Sequence, residues 1–322
     1  MNATIIITTR NEKWLKWTVD NIHRTCDPKE VIIVYDGLQA VDEFDGSTHI
    51  RTPWTTPQGV GKCRHLGIEK ATSDYIVLID AHMDFADGWL PKMIDDVESN
   101  HKSIVCSKSV KIMPPYGMKR PGEVLQGAFI REIGAGTGQP LEVEWGENPC
   151  KTGPIQCCLG ACYAMKRARY YEIGQPWRRA FGWGSSEQTI CMVNELCGGV
   201  NILSEAETGH YYMKKDQRSF KPDADFKTGA VFNRLRLIRL FYGEDDPKYK
   251  PMAHLTIQRS KFRPYAEKAL ELLNLTDDTD IISLFEVSKD EYAAKWWAEQ
   301  EVKPVEKKQI KYVKRDIDER FV

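Results

Sequence analysis

Three short runs of β-branched and aliphatic residues, "ATIIITT", "EVIIVYDG" and "DYIVLIDAH", fall within the first 82 residues, separated by stretches with helical spacing. Each run is apolar at consecutive rather than alternate positions, so both faces of the strand must be buried. That is the condition of a mostly parallel sheet covered by helices on either side. The intervening "EKWLKWTVDNIHR" puts Trp14, Trp17 and Ile22 on one side of a helix, and "GVGKCRHLGIEKAT" reads as a second helix. The expected fold class is therefore α/β with a mostly parallel central sheet. Ligands of such sheets bind beyond the carboxyl ends of the strands. Asp36, Asp80 and His82 all stand at such ends.

The end of the third run is unusual for a buried strand. In an extended chain Asp80 and His82, two residues apart, point to the same side. A carboxylate and an imidazole together make a mixed oxygen and nitrogen ligand pair suited to a divalent transition ion such as Mn²⁺ or Zn²⁺. Taken alone, the same pair serves equally well to satisfy a loop at a strand end. The nine cysteines include no CxxC, and Cys150, Cys157, Cys158 and Cys162 fit no common zinc-ligand spacing. They read as reduced thiols.

From Ser107 to Pro154 the chain turns to Gly, Pro and short extended pieces, an inserted antiparallel or loop-rich region placed to cover a site. "GACYAMKRARYYEIG" reads as a strand and a short helix, "SSEQTICMVNELCGG" as a helix stopped by Gly198 and Gly199, and "VNILSEAE" as a strand. "AVFNRLRLIRLFYG", "YAEKALELLNL" and "SKDEYAAKWWAEQ" are further helices, followed by the basic "KPVEKKQIKYVKR". One catalytic domain over residues 1–243 and a helical C-terminal extension with a basic tail over 244–322 are expected.

Taken in order, these segments resemble the GT-A nucleotide-sugar glycosyltransferases, and most closely the polypeptide N-acetylgalactosaminyltransferases. "VLIDAHMDFADGWL" is similar to their Asp-x-His motif, and "IIITTRNE", "VIIVYDG" and "TPQGVGKCRHLGIEKA" resemble the segments before it. "FGWGSSEQ" with "ELCGG", then "ETGHYYMKK" and "FNRLRLIRLFY", resemble those after it. The resemblance spans roughly residues 3 to 243. It implies a GT-A fold, Rossmann-like, and a Mn²⁺ or other divalent ion held by Asp80, His82 and His210 on the diphosphate of a UDP-sugar donor.

It also implies that Asp36 and Arg64 face the nucleotide, with Thr8, Arg10 and Glu12 in the first loop beside them. Glu187 then touches the donor sugar as the catalytic acid group, and Trp183 packs under the sugar or fills the core. The motif departs from the family here: one more residue separates Trp183 from Glu187, so Ser186 competes for the acid position and Ser185 or Ser186 for a helix cap. Inverting relatives carry an Asp where this chain has Gln188, which favours retention of configuration.

The acceptor is open among protein, glycan and hydroxymethylated bases of viral DNA. The basic tail and "KKDQRSFKPDADFK" carry charges able to track phosphates, and Trp54, Tyr116, Trp145 and Trp177 are aromatics available for stacking. With 45 basic and 46 acidic residues, no overall field advertises nucleic acid or membrane. "MNATIIITTRNE" has no signal-peptide pattern, so a cytoplasmic setting, in a bacterium or a virus-infected cell, is expected. Two other classes fit parts of the pattern: a GT-A-fold binding module without catalysis, and a nucleotidyltransferase of similar fold. The second normally has a Gly-rich phosphate loop that "TTRNEKW" lacks.

Overall fold

The structure, a computed structural model, describes residues 1–10, 12–37, 44–53, 57–145, 152–213 and 222–298. The elements run β1 (Ala3–Thr9), α1 (Leu15–Thr25), β2 (Glu30–Tyr35), β3 (Ser47–Arg51), α2 (Val60–Lys70), β4 (Tyr75–Asp80), β5 (Met83–Phe85), α3 (Trp89–Ser99) and β6 (Ser103–Lys111). Then come β7 (Val124–Leu125), β8 (Ala128–Ile133), β9 (Pro140–Trp145), β10 (Gly153–Pro154), β11 (Cys162–Lys166), α4 (Arg167–Glu172), α5 (Ser186–Leu196) and β12 (Val200–His210). The chain closes with α6 (Ala224–Tyr242), α7 (Tyr249–Arg259), α8 (Ala266–Asn274), α9 (Thr279–Ile282) and α10 (Lys289–Trp296).

The main sheet has the order β10-β12-β6-β11-β4-β1-β2-β3, with β5 on β12 and β7 on β6. β1 runs parallel to β2 and β4, β2 parallel to β3, and β12 parallel to β6. β11 lies antiparallel between β4 and β6, so β4 and β6 still point the same way. The expected parallel sheet is thus present as the common direction of its longer strands, with β11 reversed inside it and the short β5, β7 and β10 antiparallel to their partners. Its consequence is functional: the carboxyl ends of β1, β2, β4 and β12 emerge on one side.

The consecutive apolar runs divide between two cores. Ile5 and Ile7 of β1 pack with Leu15, Val19 and Ile22 of α1 and with Trp89, Met93 and Val97 of α3. Ile6, between them, faces Cys63 and Ile68 of α2 and, in the same core, Ile190 and Leu196 of α5 and Leu237 of α6. The buried side of α1 is therefore Leu15, Val19 and Ile22. Trp14 precedes the helix and Trp17 is only half-buried, which corrects the face expected from spacing. The inserted region from Ser107 to Pro154 contains the hairpin β8-β9, whose register pairs Ala128 with Trp145. β3 was not expected, because "STHIR" carries no apolar run.

The helices after Gly243 pack on α6. Val231, Phe232 and Leu235 meet Ala266, Ala269 and Leu273 of α8 in a third core. Beside it Arg236 and Arg239 bind the buried Asp278 at 2.7 and 3.1 Å. Among the described residues no helix is long and apolar enough to cross a membrane.

Candidate functional site

Strand pairing assembles the site. Thr8 of β1 lies opposite Asp80 of β4, and Thr9 opposite Tyr35 of β2, so three strand ends are level. After Asp80 the chain makes one turn and enters β5, which pairs antiparallel with the end of β12: Met83 with His210 and Thr208 with Phe85. The Tyr211 amide donates to the His82 carbonyl at 3.1 Å. This short ladder is what brings His210 to a strand end 128 residues earlier.

Asp80, His82 and His210 each offer one ligand atom, and all three atoms lie within 4.8 Å of one another. The two Nε2 atoms are 3.0 Å apart, and His210 Nε2 is 3.3 Å from Asp80 Oδ2. Burial, reinforced by the neighbouring His210, lowers the His82 pKa to about 4, so its imidazole is neutral at pH 7. Burial works against the Asp80 carboxylate, but a hydrogen bond from His210 and the nearby His82 and Arg64 outweigh it and lower the Asp80 pKa. His210 Nδ1 is buried without a hydrogen-bond partner. Two imidazole nitrogens and a carboxylate oxygen converging this closely are a donor set that fits a divalent transition ion. The expected three-residue set is therefore brought together. Among the described residues no cysteine group forms a comparable cluster, and Cys150 lies outside them.

Arg64 ties this triad to Glu187. Its guanidinium is fully buried, 3.6 Å from Asp80 and 2.9 Å from Glu187 Oε1, and it also donates to the Gly160 carbonyl at 2.9 Å. It lies over the rings of Tyr163 and Trp177. Burial opposes its charge, but Tyr163, Glu187 and Asp80 more than offset this, and its pKa is raised. Gly160 is small by need, since a Cβ there would come within 2.6 Å of Glu187 Oε1. Trp177 is thus a core residue rather than a platform for a ligand.

Glu187 is in the first turn of α5, and its carboxylate is the one that meets Arg64. Ser185 adopts φ 53° and makes no side-chain cap; its hydroxyl accepts from Arg234 Nε at 3.0 Å instead. The buried Ser186 gives its carbonyl to Trp177 Nε1. Neither serine caps the helix.

Two cavities meet at Asp80 and Trp183. The smaller, about 210 Å³, is lined by Thr8, Arg10, Glu12, Asp36, His82 and Trp183 among others, so of the residues expected on the nucleotide side Thr8, Arg10, Glu12 and Asp36 share one wall, whereas Arg64 lines the larger cavity instead. Asp36 differs from expectation in detail. Its carboxylate already accepts from Thr52 Oγ1 and the amides of Gln58 and Gly59, and so shapes the loop before α2. That loop touches the Trp183 segment through bare backbone: Gly59, at φ +84°, would place a Cβ 1.6 Å from the Gly182 carbonyl. Arg10 bridges to Asp223, the N-cap of α6, at 2.6 Å. Trp183 is 45% exposed and stacks on Phe226 with centroids 4.9 Å apart.

The larger cavity, about 740 Å³, takes in Arg64, Glu187, Gln188, His210, Tyr212 and Arg234. Tyr212 and Arg234 were not singled out from sequence. Tyr212 sets its ring edge against His210, centroids 4.2 Å apart, and shares a hydrogen bond with Ser109; its place two residues beyond the histidine was the available signal. Tyr116 is exposed and lines neither cavity. Trp54, the side chain of Trp145, the basic tail and residues 214–221 lie outside the described residues.

Residues 4–145 match the family model described as Glycosyl transferase family 2. Polypeptide N-acetylgalactosaminyltransferase 10 of Rattus norvegicus is 25% identical over 235 residues, which are 66% of this chain and 38% of that protein. A relative from Macaca fascicularis named as an inactive polypeptide N-acetylgalactosaminyltransferase-like protein 5 is 22% identical, covering 75% of this chain and 58% of its own length. The chain thus spans well under two thirds of these curated relatives. A solved structure titled as GalNAc-T7 with UDP, GalNAc and Mn²⁺ superposes with a TM-score of 0.68 at 15% identity, over 91% of this chain and 57% of that one. The fold is GT-A, and the chain resembles the polypeptide N-acetylgalactosaminyltransferase clade.

Proposed function

We propose that this chain, a GT-A-fold protein similar to the polypeptide N-acetylgalactosaminyltransferases, transfers a sugar from a UDP-sugar to an acceptor hydroxyl with the help of a divalent cation such as Mn²⁺. The observation that carries the reading is the convergence of Asp80, His82 and His210 at the junction of two cavities. These three residues would hold the cation. When bound, it offsets the charge of the diphosphate leaving group. The chain's own residues do the rest. Thr8, Arg10, Glu12, Asp36 and Trp183 wall the smaller cavity, into which we place the nucleoside of the donor. Arg64, buried and charged, fixes the Asp80 and Glu187 carboxylates relative to each other.

Glu187 opens into the larger cavity, where the donor sugar and the acceptor hydroxyl would meet. With Gln188 beside it rather than a second acid, retention of configuration is the stereochemical outcome we assign. Protein, glycan and modified-DNA hydroxyls are the acceptor classes to be tried. We place the catalytic unit in residues 1–243 and treat the helices after it as an extension docked on α6.

The test is a screen of UDP-sugars with Mn²⁺, offering peptides, glycans and hydroxymethylated DNA in parallel. EDTA-sensitive release of UDP is expected from at least one donor; no release from any donor sinks the reading and leaves a binding module without catalysis. In that assay Glu187→Gln should lower turnover by about 10²-fold, the usual size for a positioned acid-base group, with UDP affinity little changed. Equal turnover would remove Glu187 from the reaction.

A further inference from the structure

Among the described residues, three cations on the wall of the larger cavity have no carboxylate within ion-pair distance. Arg234, on α6, donates from Nε to Ser185 Oγ at 3.0 Å and from Nη1 to the Pro140 carbonyl at 2.7 Å, both neutral oxygens. Arg259 ends α7, with its guanidinium near Gly138 and its carbonyl accepting from Gln139. Lys261 follows two residues later and stands over the Phe262 ring. All three line the cavity, and Arg234 and Arg259 gather around the start of β9. The acids on the same wall are otherwise engaged: Asp80 and Glu187 face Arg64, and Glu142 accepts from Thr137.

Holding a half-buried guanidinium with hydrogen bonds to neutral acceptors is unfavourable, because the lost hydration is not replaced by a directly paired opposite charge. Burial accordingly draws the Arg234 pKa down to about 10, with Glu142 opposing. The two hydrogen bonds nonetheless hold its planar fork in one orientation, one helix turn or less from Glu187 through Ser185. A fixed fork with two flexible cations nearby suits an oxyanion that is multiply charged and has several acceptor oxygens.

We propose that the acceptor carries a phosphate group, bound by Arg234, Arg259 and Lys261 while its hydroxyl is presented beside Glu187. The assignment of this site to the acceptor rests on the glycosyltransferase reading; the phosphate site itself rests on the three cations. The phosphate can belong to a small phosphorylated sugar or to the diester backbone of a polymer.

The test is calorimetric titration of ribose 5-phosphate, ribose and a thymidine octanucleotide into the full chain, with and without saturating UDP and Mn²⁺. Ribose 5-phosphate should bind in both conditions and ribose in neither. Arg234→Gln should weaken ribose 5-phosphate by about tenfold, the loss of one charge-assisted contact. Because Arg234 also holds Ser185 and Pro140, the exposed pair Arg259→Gln with Lys261→Gln is the second variant, with a similar loss expected. The octanucleotide binding more tightly than ribose 5-phosphate assigns the polymer source, and the reverse order the small one.

Equal affinity for ribose and ribose 5-phosphate, or no change in the double variant, overturns the proposal. Displacement of ribose 5-phosphate by UDP does so too, since it would make these cations part of the donor site. UDP failing to bind while the phosphate remains sensitive to the cations would instead overturn the donor reading and leave the phosphate site standing.

Discussion

His210→Ala should reduce the affinity for UDP measured with Mn²⁺ to the value measured with EDTA. The expected loss is on the order of 10²-fold or more, because residues that only support a metal ligand already account for about 10- to 100-fold. The geometry makes the result specific. His210 contributes the nitrogen that is 3.0 Å from His82 and 3.3 Å from Asp80, and its backbone is fixed by pairing with Met83 rather than by its ring. Removing the imidazole should therefore leave the strand pair intact, and the far-ultraviolet circular dichroism unchanged. UDP binding that keeps its Mn²⁺ dependence in this variant would show that the third ligand lies elsewhere.

Asp278→Asn should destabilise the fold by about 3–5 kcal/mol, the range for removing one partner of a buried ion pair. The carboxylate is 1% exposed and receives Arg236 through Nε and Nη2 and Arg239 through Nη2. The amide keeps the shape but leaves Arg236 without its counter-charge and Arg239 with only the more distant Glu244, at 3.6 Å. Urea unfolding should show a lower midpoint with an unchanged slope. A shift below about 1 kcal/mol, the worth of an exposed pair, would mean that the helices after Gly243 separate from α6 readily and that the pair is hydrated.

Much of this was legible in the chain because the responsible signals are local. Consecutive apolar residues in β1, β2 and β4 announce strands buried on both faces, and the two cores they divide are what the sheet shows. Asp80 and His82 announce themselves by spacing. His210 does not: only the resemblance of "ETGHYYMKK" to a known segment singled it out, since the β5-β12 ladder that delivers it is a non-local pairing of three residues. The reversal of β11 is equally silent, because an apolar strand reads the same in either direction.

Arg64 shows the same limit from another side. A helix carrying "GKCRHLG" gives no sign that its arginine turns inward to join Asp80 and Glu187. Asp36 was visible as a strand-end acid, yet the three donors its carboxylate accepts come from a loop more than 15 residues downstream. Arg234 lies within the helical "AVFNRLRLIRLFYG", where nothing in the sequence sets it apart from Arg236 and Arg239. That no described carboxylate pairs with it is a property of the assembled cavity.

The most direct measurement is a Mn²⁺ titration followed by electron paramagnetic resonance, on the wild-type chain and on Asp80→Ala, with and without UDP. Free Mn²⁺ should disappear from the spectrum up to one equivalent of wild-type protein, more tightly when UDP is present because the two sites are coupled, and Asp80→Ala should bind none. Retention of one tight Mn²⁺ by Asp80→Ala, or a wild-type affinity indifferent to UDP, would contradict the account.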